Sequence, residues 1–181
     1  MKKLLFIAVP NFQDIELFNT KTALGPEFHV EIASSVMSPV RGVGGSEIIP
    51  NVLIENAVPA DFDGIVIIGG SGMGDIVYDN PTVLQHLIAQ IKSFYQAGKL
   101  VSAICIGPVS LAKANILSGK QVTGWVDEQG TQKNEIESAG ATFTGEPVTI
   151  DGNIITANGP SAATAFGEAI KNYFSKEDSN A

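Results

Sequence analysis

The sequence predicts an α/β fold, a mostly parallel sheet with helices on both faces. Three observations carry this. Short apolar runs bounded by Gly, Pro and Asn alternate with helical patterns along the whole chain, as strand–helix–strand units require. The runs GIVII at 64–68 and LVSAI at 100–104 are apolar throughout, the pattern of strands covered on both sides. No repeat, linker or break in composition divides the 181 residues, a length that fits one domain spanning 1–181.

The elements follow in order. Residues 3–9 (KLLFIAV) are β-rich and end at Pro10-Asn11. Residues 13–24 have helical spacing, with Ile15, Phe18 and Thr22 on one side and Gly25-Pro26 as the stop. Residues 28–33 (FHVEIA) alternate as a strand, and 36–55, rich in Gly and Pro, read as a small hairpin excursion before VLI at 52–54. After 64–68 comes a loop, GGSGMG, and then the clearest helix, from Pro81 to Ala97. Asn80 is its N-cap, Gly98 closes it, and Val83, Leu84, Leu87, Ile88, Ile91, Phe94 and Tyr95 form its buried stripe. The strand 100–104 leads into a helix from about Gly107 to Ala114. A strand at 121–124, a polar helix at 127–138, a hairpin turning at Asp151-Gly152, a strand at 153–157 and a helix from about Ser161 to Phe174 complete the chain. A tail from about 176 to 181 is expected to fray.

Composition narrows the function. The chain is 44% apolar and 17% charged, as globular domains are, and no apolar run is long enough to span a bilayer. The opening MKKLLFIAVPNF has lysines before an apolar run. That run is short and lacks a small-residue cleavage site, so it reads as a strand and places the protein in the cytoplasm, with no membrane partner. A net charge of −8 argues against nucleic acid, which calls for clustered Lys and Arg. One cysteine permits no internal disulfide, and His29 and His86 stand at no metal-like spacing from each other or from Cys105, so a structural metal is not expected.

In an open parallel sheet, ligands bind beyond the carboxyl ends of the strands. Three such ends carry unusual residues: Asp14 and Glu16 after the first strand, Gly69-Gly70-Ser71-Gly72 after the strand at 64–68, and Cys105 after the strand at 100–104. The segment Ala103-Ile104-Cys105-Ile106-Gly107-Pro108 is small-x-nucleophile-x-small between strand and helix, the logic of a nucleophile elbow. A thiol there faces a helix N-terminus, which favours thiolate, and the N–H groups of Ile106 and Gly70 are candidates for an oxyanion hole. The alternative for Cys105 is a small buried apolar residue. Glu16 reads either as a solvated first-turn acid or, among Ile15, Leu17 and Phe18, as a dry carboxyl that stays protonated beside the sulfur. Asp14 reads as a capping or surface acid. The glycine loop departs from G-x-G-x-x-G, which leaves a nucleotide site as a weak reading. Trp125 is either core or a pocket wall.

With these residues in view, the chain resembles the ThiJ/PfpI superfamily (the Parkinson disease protein 7-like family). The resemblance rests on Glu16, on IVIIGGSG at 65–72, on AICIGPVSLA at 103–112 and on DGNIITANGPSAATAFGEAI at 151–170. It implies a flavodoxin-like three-layer sandwich that forms homodimers. It also implies a nucleophilic Cys105 partnered by Glu16, with backbone amides at Gly70 and Ile106. Two positions depart from family patterns: Ile106 stands where protease-like members have histidine, and Trp125 where many glyoxalase-like members have one. A Cys-His dyad is therefore unavailable at the matched positions, which counts strongly against a peptidase and less strongly against a glyoxalase. The resemblance implies a cofactor-free glyoxalase III or deglycase-like activity on small α-oxoaldehydes, with a small carbonyl compound as substrate. The alternative is an oxidative-stress sensor or chaperone-like protective protein that uses Cys105 oxidation without turnover.

Overall fold

The structure, a computed structural model, describes the backbone of residues 1–180 and the side chains of residues 1–176. Its centre is a seven-stranded sheet of β1 (Lys2–Ile7), β2 (Phe28–Ser34), β5 (Val52–Leu53), β6 (Gly64–Ile67), β7 (Leu100–Ile104), β10 (Val148–Asp151) and β11 (Ile154–Ala157), in the order β10-β11-β7-β6-β1-β2-β5. All neighbours run parallel except β10, which returns beside β11 through Asp151-Gly152 as the sequence predicts. Two small ribbons lie apart: β3 (Val40–Arg41) with β4 (Glu47–Ile48), and β8 (Gln121–Val122) with β9 (Thr142–Phe143). The strand order reverses between β1 and β6, the crevice where flavodoxin-like sheets place their ligands.

Period-two alternation divides the strands between two cores. Leu5, Ile7, Ile65, Ile67, Val101 and Ala103 face one side, with Leu87, Ile91 and Phe94 of α3 (Pro81–Gln96) and Val109 of α4 (Gly107–Lys113). Leu4, Phe6, Val66, Ile68, Leu100 and Ile104 face the other, under α1 (Asp14–Leu24) and α6 (Ala163–Asn180). Asn80 caps α3, its Oδ1 accepting from Val83 N at 3.2 Å, and the whole expected stripe is turned inward. No helix among the described residues is long and apolar enough to cross a membrane.

Several expectations are corrected. In α1 the face with Ile15, Phe18 and Thr22 points outward, Ile15 being 50% and Phe18 39% exposed, while Glu16, Leu17, Thr20 and Leu24 are buried. The reason is α6: a Cβ on Gly167 would lie 2.6 Å from Thr20 O, so the two helix backbones nearly touch, and Thr20 Oγ1 donates to Ala163 O. The loop read at GGSGMG is instead the first turn of a helix, α2 (Ser71–Asp79). The strand at 121–124 stops at Val122, outside the main sheet, and the polar helix begins only at α5 (Thr131–Ser138), where Thr131 N donates to Asp127 Oδ1 at 2.7 Å. The expected tail at 176–181 falls almost wholly outside the described side chains.

Asp14 is neither cap nor surface acid. Gln13 caps α1 through its side chain, and Asp14, only 8% exposed, accepts from Gly44 N at 2.6 Å and Ser46 N at 2.9 Å. It thereby ties the β3–β4 turn to the helix start. Burial pushes its pKa up, but the Ser46 hydroxyl and these amides together hold it below the ordinary carboxylate value. A group depressed in this way stabilises the fold above its unfolded pKa and loses that contribution as pH falls through the folded one. Asp14→Asn, which turns an N–H group toward N–H donors, is expected to cost about 2 kcal/mol. Urea denaturation at neutral pH measures the loss.

Candidate active site

Strand β7 delivers Cys105 to the carboxyl edge of the sheet in a left-handed conformation, φ +63°. A side chain there is strained by about 1–3 kcal/mol and persists only when its surroundings impose it. They do so on both sides: Cys105 N donates to Ala157 O at 2.9 Å, and Cys105 O accepts from Trp125 N at 2.8 Å. Gly107 lets the turn lie against β6, since a Cβ there would sit 3.0 Å from Ile67 O. The sulfur is part-buried, not sealed, and faces outward from the elbow.

Glu16 comes to the same place from α1 and is fully buried. Its Oε2 accepts from Gly69 N at 2.8 Å, its carboxyl also bonds the Cys105 thiol, and Oε1 is buried without a hydrogen-bond partner. The carboxyl reading as a dry acid therefore holds, and the solvated-acid reading does not. Gly70, at φ +110° and too close to Asn11 O for any side chain, turns the chain into α2. The amides of Ile106 and Gly70 both bond the sulfur. Sequence reasoning placed Cys105, Glu16, Gly70 and Ile106 together and singled out Gly69 and Ser71 with the glycine loop, but assigned no role to Gly69, whose N–H holds the acid, or to Ser71, which lines the pocket. Only the proximity of both to a strand end signalled them.

The protonation of the pair differs from expectation. Burial pushes Glu16 up to about 7, against smaller lowering by the Gly69 amide and the thiol. Burial, then the charge of Glu16 and its hydrogen bond, push the Cys105 thiol up to about 12, while the Ile106 and Gly70 amides pull the other way. The resting sulfur beside a charged Glu16 is thus a thiol rather than the expected thiolate. The amides cannot outweigh a dry site with an anion next to it. The pair shares its protons, and removing the charge from Glu16 is what makes a thiolate affordable.

The sulfur opens on a pocket of about 270 Å³ lined by Gly70, Ser71, Cys105, Ile106 and Trp125. Trp125 is a pocket wall, not core, and is 42% exposed. A larger surface cleft of about 520 Å³ between α4 and α5 includes none of these residues. His29 and His86 sit far from the pocket in sequence and fold, beside Glu31 and Glu55.

The chain is 36% identical over 172 residues to an uncharacterized protein of Methanocaldococcus jannaschii, covering 94% of this chain and 81% of that one. It is 29% identical over 159 residues to a protein of Thermococcus kodakarensis named a deglycase, covering 87% of this chain and 90% of the other. The solved ThiJ/PfpI domain protein from Brachyspira murdochii superposes with a TM-score of 0.86 at 26% identity, covering 96% of each chain. With the DJ-1/PfpI family model matching residues 2–172, the chain belongs to the DJ-1/PfpI family.

Proposed function

We propose that the protein is a cofactor-free, cysteine-dependent enzyme acting on small α-oxoaldehydes, with glyoxalase III or deglycase-like chemistry. One observation carries the reading: a fully buried carboxyl, held by the Gly69 amide, stands beside the single thiol of the sequence, and that thiol lines a small open pocket. A base is most effective when its pKa lies near the working pH. Family members named deglycases, such as the one from Thermococcus kodakarensis, support the same class of reaction.

In this reading the Glu16 carboxylate takes the thiol proton as Sγ bonds to the aldehyde carbon. The amides of Gly70 and Ile106 meet the negative charge on the reacting atoms. Glu16 returns the proton to the aldehyde oxygen, giving a hemithioacetal. It next takes that carbon's hydrogen as a proton, the electron pair spreads over the two carbons as an enediolate, the hydroxyl proton passes from the first oxygen to the second, and the proton held by Glu16 is set down on the second carbon. The product is a thioester of a 2-hydroxy acid. Water then cleaves it, releasing the acid and regenerating the thiol. The sum is aldehyde plus water to hydroxy acid, with no oxidant or reductant.

The test is hydroxy-acid formation from methylglyoxal. Cys105→Ser is expected to leave only the uncatalysed background, and Glu16→Gln to lower kcat by roughly 10²–10⁴-fold. Equal rates for the wild type and Cys105→Ser would dispose of the proposal.

A further inference from the structure

We infer that the pocket selects neutral carbonyl substrates with a flat apolar side group, and that Trp125 is the residue that recognises that group. The inference rests on the small-carbonyl reaction proposed above and adds its substrate class. Five residues line the pocket, and none of them carries a charge: Gly70, Ser71, Cys105, Ile106 and Trp125. Among the described residues no lysine or arginine lines the pocket to receive a substrate carboxylate, and Glu16, beside the sulfur, repels an anion when charged. At about 270 Å³ the space is near the lower end of ligand pockets and fits a small molecule.

Trp125 is placed to make the choice. Its backbone is held against the elbow by the bond to Cys105 O, so the residue that carries the indole is anchored beside the nucleophile. The following residues are tied to α5, Asp127 N donating to Gln132 Oε1 at 2.9 Å. Among the described residues no aromatic ring or ammonium group stacks on the indole. An indole held beside a reacting atom, half-exposed and without a ring partner, is a free face for an aromatic or broad alkyl group. Such ring pairs add about a factor of ten in binding beyond simple burial. Ile106, also in the pocket lining, is only 8% exposed and supplies a second apolar wall.

The experiment compares phenylglyoxal, methylglyoxal and the anion glyoxylate as substrates. The wild type is expected to favour phenylglyoxal over methylglyoxal by about tenfold in kcat/KM and to turn over glyoxylate least. Trp125→Ala keeps the main-chain bond to Cys105 and is expected to bring the first two substrates to near equality, whereas Trp125→Phe keeps the preference. A ratio unchanged in Trp125→Ala, or glyoxylate handled as well as phenylglyoxal, overturns the inference. A second measurement needs no turnover: the rates at which phenacyl bromide and iodoacetate alkylate Cys105, each divided by its rate with a free thiol and read from the adduct mass. In that reaction the sulfur bonds to carbon and the halide leaves. The wild type is expected to favour the phenacyl reagent, and Trp125→Ala to lose about tenfold of that preference. If this selectivity is present while no aldehyde is converted, the catalytic proposal fails and the pocket assignment stands; if conversion occurs without selectivity, the reverse holds.

Discussion

Gly69→Ala is expected to cost about 2–3 kcal/mol of stability and to disable the site in the same step. A Cβ built on Gly69 would lie 2.6 Å from the Cys105 Cβ and 2.7 Å from Glu16 Oε2, closer than such atoms approach. It would also stand 3.1 Å from Ile104 O, so the methyl cannot be absorbed by swinging a flexible side chain. Either the acid and the thiol are pushed apart or β6 shifts against β7. Gly74→Ala is the matched control. Its Cβ would meet only Ile106 Cδ1 at an ordinary 3.5 Å, and alanine is the better helix former inside α2, so a gain of roughly 0.5–1 kcal/mol is expected. Urea denaturation of the two variants reads the difference, and alkylation of Cys105 reads whether the pair survives. Equal stabilities for Gly69→Ala and the wild type would mean that the sheet edge is far more compliant than the close packing of these atoms implies.

The second large effect lies in the pH dependence of stability. The folded-state pKa of Glu16 is raised from 4.5 to about 7, so between those values the native protein holds a proton that the unfolded chain gives up. A group shifted in this direction stabilises the fold below its unfolded pKa and loses that contribution as pH rises through the folded one. The shift corresponds to about 3 kcal/mol, lost between about pH 4 and pH 8. Glu16→Gln keeps a carbonyl oxygen for Gly69 N but has no proton to lose. Subtracting the variant's stability curve from that of the wild type is therefore expected to leave a fall of about 3 kcal/mol, half complete midway between the two pKa values, at about pH 5.8. Parallel curves across that range would show that the acid is far wetter in solution than its full burial indicates.

The fold was legible wherever the local pattern and the tertiary demand coincide. Strands 64–68 and 100–104 are buried on both faces and leave no other reading, and α3 carries its cap, its stripe and its closing glycine in sequence. The failures share a cause. Gly72 and Gly74 look like helix breakers, but α2 needs Gly72 because the helix runs so close to Pro10 O that no side chain fits. In α1 the apolar residues Ile15 and Phe18 outrank Glu16 and Thr20 in any hydropathy pattern, yet the polar pair is inside, held by Gly69 and Ala163. Asp14 was misread for the same reason: its partners lie 30 and 32 residues away. At the site, the elbow announced Cys105, but the proton balance did not follow from the sequence, because it depends on how dry two distant segments become when they meet.

The left-handed backbone at Cys105 bears on the molecule's history as well as its chemistry. Residue 105 occupies a conformation that most side chains avoid, and its neighbour Glu16 is buried with Oε1 unpaired, so this corner opposes folding twice over. A chain selected for robustness alone would place glycine at the first position and an uncharged side chain at the second. Keeping cysteine and glutamate there means that the remaining core must supply the difference. Variants with glycine at 105 and an uncharged side chain at 16 should accordingly outlast the wild type on heating.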